Sequence, residues 1–391
     1  MPSRTSRRGF LSAGLSAGLL APLAKATPAI NFLNRPDDAA PAGAGVKLNY
    51  RTLGRTGLRV TTVGFGCMIT SDPSVIQRAA DLGVNYFDTA RGYQHGNNER
   101  MVGAALGAKR KQVVVSTKTH APDKATMIEH LEESLKELNT DYIDIWYLHG
   151  RSGPGDIPDE HIEVQHLAKQ QGKVRFTGVS THSNQPQLIP WMVEKGAFDV
   201  VLAAYNFTMD AAMNEAVEAA AKAGLGVVAM KVMAGGTRSH GPGDPLAGKL
   251  AQPGAMLAAL KWVVKNPSVA TTIPSITGMD QLDENLKAMA QAYSPADAKV
   301  LAAHLERIHP LYCRMCGRCE GACRQGLPVA DVLRCLTYAE SYGQFALGRE
   351  RYLELAVARD ARCADCASCT VECPHGVAVA RRMARAQELF A

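Results

Sequence analysis

Four residues whose side chains can move a proton stand at or just after the ends of short β-branched runs in the first half of the sequence. Asp88 ends the second run, Lys118 the third and His149 the fourth, and Tyr93 follows Asp88 in a loop. Lys118 is expected to stabilise a tyrosinate and so lower the pKa of Tyr93, while Asp88 keeps the lysine charged. His149 would orient or polarise a carbonyl oxygen. Singly, such residues are often hydrogen-bonded structure, but together they predict a positioned acid.

Eight cysteines near the end of the chain form two ladders with the spacing C-x2-C-x2-C-x3-C. The first ladder holds Cys313, Cys316, Cys319 and Cys323, and the second holds Cys363, Cys366, Cys369 and Cys373. The spacing resembles that of bacterial two-cluster ferredoxins, in which the fourth cysteine of each ladder ligates the other cluster. That resemblance implies two 4Fe-4S clusters, one held by Cys313, Cys316, Cys319 and Cys373, the other by Cys363, Cys366, Cys369 and Cys323.

Two other interpretations of the ladders stay open. Zinc takes four ligands, commonly in C-x2-C pairs, and has no use for a third close cysteine. Disulfides form in oxidising compartments, which an exported protein would enter. The first ladder also departs from the ferredoxin pattern, because Arg324 follows it where Pro374 follows the second.

The N-terminal sequence predicts an export signal. Arg7 and Arg8 precede a mild apolar run to Leu23, and Ala24-Lys25-Ala26 has the form of a cleavage site. This resembles a twin-arginine signal, although a disordered basic start is the simpler alternative. We expect residues 1–26 to engage the twin-arginine export machinery, a periplasmic mature protein, and cofactors loaded before export. Residues 27–46 have no periodicity and are predicted to be a linker.

The proton-transfer residues need a frame that brings the ends of successive strands together. From Val60 onward eight β-branched runs alternate with helical stretches: VTTVGFG, NYFDTA, VVVSTKT, DYIDIWYLHG, VRFTGVSTH, DVVLAAYN, GVVAMKV and VATTIPS. Eight strands close a (βα)8 TIM barrel of ~250 residues, and catalytic groups lie at its C-terminal rim. We therefore predict an α/β fold with such a barrel over residues 47–295. An open doubly wound sheet is the alternative, but no G-x-G-x-x-G follows the first strand.

Residues 296–391 are predicted to form a small, mostly helical iron-sulfur domain. Between the two ladders Val329, Val332, Leu333 and Leu336 recur at helical spacing.

The 391 residues are 46 % hydrophobic and 20 % charged, which is typical of globular proteins. Four of the basic residues behind the formal charge of +6 lie in the first 26 positions, so the rest of the chain carries little net charge. The charge therefore gives no indication of a nucleic-acid partner. No apolar stretch reaches the ~18 residues of a membrane span, so none is expected after processing.

From about Leu48 to Ala290 the sequence resembles the aldo/keto reductases. The resemblance rests on LGRTGLRVTTVGFG, NYFDTARGYQHGNNERMVGAAL, VVVSTKT, DYIDIWYLHG, GKVRFTGVSTH and TIPSITGMDQLDENL. It implies a catalytic tetrad of Asp88, Tyr93, Lys118 and His149. It also implies hydride transfer from a nicotinamide to an aldehyde or ketone, or the reverse oxidation of an alcohol, with Tyr93 supplying the proton to oxygen.

The resemblance implies a nucleotide site that departs from the family pattern at several positions. Leu202 replaces the usual Gln, and the cationic residues that often clasp the 2′-phosphate are replaced by Ser275 and Gln281, so NAD and NADP both remain open. A glycine-rich loop after Met233 would fold over the pyrophosphate, although a plain solvent loop is a rival interpretation. The implied nucleotide contacts are Ser180, Thr181, Met230, Lys231, Gly235, Gly236, Ser275, Gln281, Glu284 and Asn285.

Similar cysteine-rich tails occur in a subset of aldo/keto reductase relatives. Taken together, the features predict an exported oxidoreductase that acts on a small carbonyl or alcohol substrate. Its iron-sulfur domain would transfer electrons and could serve a redox partner protein. The alternative is a non-enzymatic iron-sulfur electron carrier that uses the barrel as a scaffold. The complete tetrad favours the enzyme, because a scaffold has no need of it.

Overall fold

The computed structural model describes residues 47–235, 253–355 and 361–390. Its centre is a parallel eight-stranded sheet in the order β3 to β10. Backbone pairing of Val63 with Thr272 and of Gly66 with Ser275 closes the sheet, so the predicted barrel is confirmed. The barrel strands are β3 (Phe65–Gly66), β4 (Tyr86–Asp88), β5 (Val114–Thr119), β6 (Ile143–Leu148), β7 (Val174–Thr181), β8 (Val200–Ala204), β9 (Gly226–Met230) and β10 (Thr271–Thr272).

Amphipathic helices cover the outside of the barrel. In α3 the Asp123 carboxylate caps the first turn by accepting from the Thr126 N–H at 2.9 Å, and Met127, Leu131 and Leu135 are buried against the strands. The helices around the barrel are α1 (Pro73–Asp81), α2 (Asn97–Leu106), α3 (Lys124–Glu137), α4 (Asp159–Gln170), α5 (Gln185–Lys195), α6 (Ala211–Lys222), α7 (Ala255–Val264), α8 (Met279–Ala290) and α9 (Pro295–Ile308).

An antiparallel hairpin precedes the barrel and corrects the prediction for the first strand. The run from Val60 to Gly66 was expected to be one barrel strand, but its start lies in β2 (Arg59–Thr61), which pairs with β1 (Tyr50–Thr52). The later part of the run, Val63 together with β3, joins the barrel. At the tip of the hairpin, Gly54 has a φ of +50° and approaches Gly224 too closely for a side chain. The hairpin therefore covers the N-terminal end of the barrel, opposite the catalytic rim.

The predicted domain boundary falls at the start of α9. This helix packs against α7, where Leu301 joins Ala258 and Ala259 in an apolar cluster and Lys261 pairs with Asp297 at 2.6 Å. Beyond it lie α10 (Val329–Glu340), α11 (Phe345–Glu354) and α12 (Val379–Phe390). These three helices enclose a second apolar core, against which five of the ladder cysteines pack. The described residues of the barrel and of this C-terminal domain belong to one compact unit.

Some predictions concern residues outside the described ranges. The signal at 1–26, the linker at 27–46 and Gly236 are among them. Within the described ranges, we find no helix that combines the length and the apolar character needed to cross a membrane.

Candidate active site at the C-terminal rim of the barrel

Lys118 joins the predicted proton-transfer residues into one cluster. Its Nζ lies 2.6 Å from Asp88 Oδ2, 2.6 Å from the carbonyl oxygen of Thr89 and 3.2 Å from the hydroxyl oxygen of Tyr93. Asp88 ends β4 and Lys118 lies near the end of β5, and these two strands are parallel neighbours. Because parallel strands end at the same rim, their terminal side chains meet there.

Tyr93 begins a short turn that holds its ring over this rim. The two residues after it, Gln94 and His95, have left-handed φ values of 51° and 52°. Such backbone persists where neighbouring groups hold it, and it occurs often at functional sites. Here the Gln94 side-chain amide donates to the carbonyl of Thr70 at 2.7 Å. The strained turn thus fixes the position of Tyr93.

The hydrogen bonds of Lys118 leave the Tyr93 proton available. An ammonium has three N–H donors and no acceptor. The three contacts of Lys118 use all three donors, so the Tyr93 oxygen accepts one of them. Within the described ranges, no acceptor takes the O–H of Tyr93. That proton can therefore be donated to the oxygen of a substrate.

The pKa of Tyr93 is shifted in the direction opposite to the one that the sequence predicted. Burial raises the pKa of Tyr93 well above its ordinary value, and Asp88 and Tyr338 raise it further. Burial also lowers the pKa of Lys118 and raises that of Asp88, while their mutual attraction opposes both shifts. The Asp88 carboxylate balances the Lys118 charge, so little positive field remains to favour tyrosinate. The Tyr93 phenol is consequently protonated.

His149 follows β6 and lies beside Tyr93. The two ring centroids are 5.8 Å apart with the rings edge to face, and the His149 ring stacks on His120 at 3.8 Å. Burial lowers the pKa of His149 well below its ordinary value, and His120 and Lys118 lower it further. His149 is therefore a neutral imidazole, which can donate one N–H to a carbonyl oxygen. In the described part of the chain, its buried Nδ1 has no hydrogen-bond partner.

Sequence reasoning missed the two other histidines at this rim. His120 directly follows β5 and His182 directly follows β7, and the His182 ring centroid lies 6.2 Å from that of His149. The rule that located His149, a polar residue where a strand stops, would have located both.

A family model for the aldo/keto reductases matches residues 71–306. That is more than half of the chain, and it includes all four proton-transfer residues. The chain belongs to the aldo/keto reductase family. It is accordingly an oxidoreductase.

Similar proteins span the barrel of this reductase. An uncharacterized oxidoreductase, YqkF, from Bacillus subtilis is 28 % identical over 66 % of this chain and 97 % of its own. The NADH-specific methylglyoxal reductase of Escherichia coli is 27 % identical over 66 % of this chain and 96 % of its own. Among solved structures, the holo form of the aldo-keto reductase AKR11C1 from Bacillus halodurans aligns with a TM-score of 0.57 at 27 % identity, covering 66 % of this chain and 96 % of that one.

At the predicted nicotinamide contacts Ser180 and Thr181, the structure has hydroxyl groups with defined hydrogen bonds. Ser180 Oγ accepts from the Gly150 N–H at 2.9 Å, which leaves the Ser180 hydroxyl proton for another acceptor. The hydroxyl of Thr181 donates to the Ser183 carbonyl at 2.9 Å. Met230 ends β9 and is 8 % exposed. These groups suit a flat ring that carries a carboxamide. The Ser180 hydroxyl offers one donor, and the Met230 thioether offers a polarisable surface.

Two predicted pyrophosphate contacts instead touch the C-terminal domain in this structure. The Lys231 ammonium lies over the rings of Tyr338 and Tyr342. At Gly235 a Cβ would come within 2.6 Å of the Tyr312 ring, so the close approach of that ring explains the glycine. The roles of both residues in nucleotide binding stay predictions.

The predicted adenosine side lies around the start of α8. The Gln281 side-chain oxygen accepts from the Thr277 N–H at 3.0 Å, and its amide donates to the Thr277 hydroxyl at 3.0 Å. Ser275 and Glu284 are half-buried, and Asn285 is buried. Since its amide folds back onto Thr277, Gln281 is positioned by its own loop.

The C-terminal domain covers the catalytic rim. The backbone N–H of Asn184, after β7, donates to the Met315 carbonyl at 3.2 Å, and the Asn206 amide, after β8, donates to the Tyr312 hydroxyl at 3.2 Å. The histidine of the catalytic turn, His95, approaches Glu350 at 3.8 Å. No sequence motif indicates this docking. It restricts the access of water to the rim, which strengthens the electrostatic interactions there.

The ladder thiols lie in two neighbouring groups. Burial raises the pKa of Cys313 to about 12, and the nearby thiols of Cys319, Cys316 and Cys373 also raise it. Burial raises the pKa of Cys363 too, with contributions from Cys323, Cys369 and Cys366. Each group thus contains three cysteines of one ladder and the last cysteine of the other.

A hydrogen bond and the state of the thiols also concern the ladders. The Thr370 hydroxyl donates to the Ala322 carbonyl at 2.9 Å, which joins the residues next to Cys369 and Cys323. All ten cysteines lie in the described ranges and carry free thiols. Those ranges contain no group of three or more Cys, His, Asp or Glu side chains that could hold a metal ion.

Proposed function

We propose that this reductase converts a small aldehyde or ketone to the alcohol at the barrel rim, beneath a C-terminal domain that binds two 4Fe-4S clusters. The observation that carries the reductase chemistry is the hydrogen bonding of Lys118, which makes Tyr93 an acceptor toward the lysine and a donor toward the substrate. A bound nicotinamide would supply the hydride. The protein residues handle the proton and the orientation of the carbonyl.

The geometry supports the following order of hydrogen bonding, hydride transfer and proton transfer. The carbonyl oxygen would accept from the O–H of Tyr93 and from the neutral ring of His149. As hydride reaches the carbonyl carbon, negative charge grows on this oxygen, and Tyr93 transfers its proton to it. Lys118 donates to the phenolate that remains and stabilises it until a proton returns. Microscopic reversibility lets the same groups oxidise an alcohol.

The iron-sulfur part of the proposal rests on the two groups of four thiols. Thiolates are the usual protein ligands of such clusters, and a cluster, when bound, supplies one-electron transfer. A 4Fe-4S cluster also holds its thiolates farther apart than a single metal ion does, so the thiols of a cluster site need not be close enough to bind one ion. The first ladder lies next to the catalytic rim, because Met315 within it bonds to Asn184. Electrons could therefore reach a redox partner protein through the C-terminal domain.

Elemental analysis tests the cluster assignment. Protein purified without oxygen should contain about eight iron and about eight sulfide atoms per chain, as two four-iron clusters require. Two bound zinc ions with no sulfide would favour a zinc domain, and four disulfides with no metal would favour a disulfide-linked domain.

We also propose that the twin-arginine pathway exports the protein to the periplasm with its nucleotide and clusters already bound. The support is the order of the Arg pair, the mild apolar run and the cleavage site at Ala26. Folding around the cofactors in the cytoplasm would suit a pathway that carries folded proteins.

Changing both Arg7 and Arg8 to Lys should abolish export, because the pathway reads the arginine pair and not the charge alone. Immunoblotting of periplasmic and cytoplasmic fractions measures the effect. The matched control, Arg4→Lys, alters a nearby arginine outside the pair and should be exported normally. Equal export of the double variant would contradict the signal assignment.

A further inference from the structure

Lys231 has a conformation and surroundings that the proton-transfer chemistry does not explain. It directly follows β9 and has a φ of 56°, a left-handed value that is uncommon for a lysine. Its ammonium lies 5.2 Å from the centre of the Tyr338 ring and 5.7 Å from that of Tyr342. The half-buried side chain thus points toward the C-terminal domain, at the rim that carries Tyr93.

Three acids of the barrel rim and of the C-terminal helices are paired with other cations. Asp88 binds Lys118, Asp331 binds Arg334 at 2.8 Å, and Glu354 binds Arg351 at 2.8 Å. Across the described ranges, no carboxylate lies within ion-pair distance of Lys231. Among the described residues, the Lys231 ammonium therefore has no counter-charge at this rim.

The positive charges of Lys231 and Arg334 lower the pKa values of basic groups at this rim. Burial lowers the pKa of Lys231 to about 7, and the Arg334 guanidinium lowers it further. Burial also lowers the pKa of His182 well below its ordinary value, with Lys231 and Arg334 contributing. An anion bound here would relieve all of these repulsions at once, since a buried charge is costly unless it is paired.

We propose that Lys231 binds a carboxylate of the substrate between Tyr338 and Tyr342, so that the enzyme acts on carbonyl compounds that also carry an acid group. This proposal rests on the reductase function proposed above. The substrate is favoured over a nucleotide phosphate as the source of the anion because the two tyrosines belong to the domain that covers Tyr93. Tyr93 and Tyr338 also influence each other electrostatically, which places the lysine's aromatic neighbours near the proton donor.

A pair of aldehydes of similar size tests the proposal. 4-Carboxybenzaldehyde carries a carboxylate, and methyl 4-formylbenzoate is its neutral ester. In Lys231→Met, the ratio of kcat/KM for the acid to kcat/KM for the ester should fall about 10- to 100-fold, the usual loss for a charged hydrogen bond. Lys231→Arg keeps the charge and should keep the preference for the acid. The same fall for both aldehydes in Lys231→Met would overturn the proposal.

Lys265 provides a matched control. Its ammonium also lies over two aromatic rings, at 5.6 Å from Trp262 and 4.2 Å from Tyr293, but at the end of α7. Lys265→Met should therefore leave the reduction of both aldehydes unchanged.

Ligand binding without turnover separates this proposal from the reductase function. In calorimetric titrations the wild type should bind benzoate more tightly than benzamide, and Lys231→Met should lose that difference. If benzoate binding depends on Lys231 but neither aldehyde is reduced, the anion site stands and the reductase function fails. If Lys231→Met weakens the binding of NADH or NADPH and leaves benzoate binding intact, the anion is a nucleotide phosphate and the proposal is overturned.

Discussion

Replacing Tyr93 by Phe is expected to lower the rate of carbonyl reduction by about 10²- to 10⁴-fold, the usual contribution of a positioned general acid. The phenylalanine ring fills the same space, so the barrel should stay intact. What is lost is the hydroxyl that accepts from Lys118 and that we propose donates to the substrate. Initial rates of nucleotide oxidation with a fixed aldehyde, compared per folded molecule, measure the loss.

Tyr147→Phe is the control for this variant. The Tyr147 hydroxyl lies 2.9 Å from that of Tyr86 inside the barrel, so its removal also deletes a buried phenolic hydrogen bond. It should cost stability, by about 1 to 3 kcal/mol, and leave the rate per folded molecule unchanged. A Tyr93→Phe enzyme as fast as the wild type would show that another group protonates the substrate.

Replacing Cys366 by Ala is expected to remove about half of the iron and to destabilise the C-terminal domain while the barrel stays folded. Cys366 belongs to the thiol group of Cys363, Cys369 and Cys323, and cluster binding supplies folding free energy to a domain with a small core. Iron and sulfide assays measure the first effect. Separate unfolding transitions in calorimetry measure the second.

Cys335→Ala is the matched control, because Cys335 lies in the same domain but outside both ladders. It is 2 % exposed and packs in the apolar core of that domain, so its replacement should keep the full iron content. If Cys366→Ala keeps all of its iron, or if Cys335→Ala loses it, the ligand assignment is wrong.

The sequence predicted the barrel and the catalytic cluster because both depend on local rules. Runs of β-branched residues separated by amphipathic stretches specify strands and helices, and the closure of the barrel then places every strand end at one rim. Asp88, Lys118 and His149 were found in this way. The hairpin β1–β2 was missed because β2 and β3 lie in one β-branched run of the sequence. A break between two strands inside such a run leaves no periodic signal.

Features that depend on the docking of the two domains could not be predicted. The rings of Tyr338 and Tyr342 sit on or near α10, about a hundred residues after Lys231, and their helical pattern indicates only a buried face. The error in the pKa of Tyr93 has the same origin. Sequence reasoning counted the lysine next to the phenol, whereas enclosure by the C-terminal domain and the Asp88 charge decide the direction of the shift.

The most direct test of the account is to follow the hydride itself. Aldehyde is incubated without oxygen with NADH or NADPH that carries two deuterium atoms at C4, and the alcohol is analysed by mass spectrometry and NMR. Direct transfer at the barrel rim predicts one deuterium on the carbinol carbon of every product molecule, while the hydroxyl proton comes from solvent through Tyr93. Alcohol that carries only solvent hydrogen at that carbon would show that the electrons travel by another route and would contradict the mechanism.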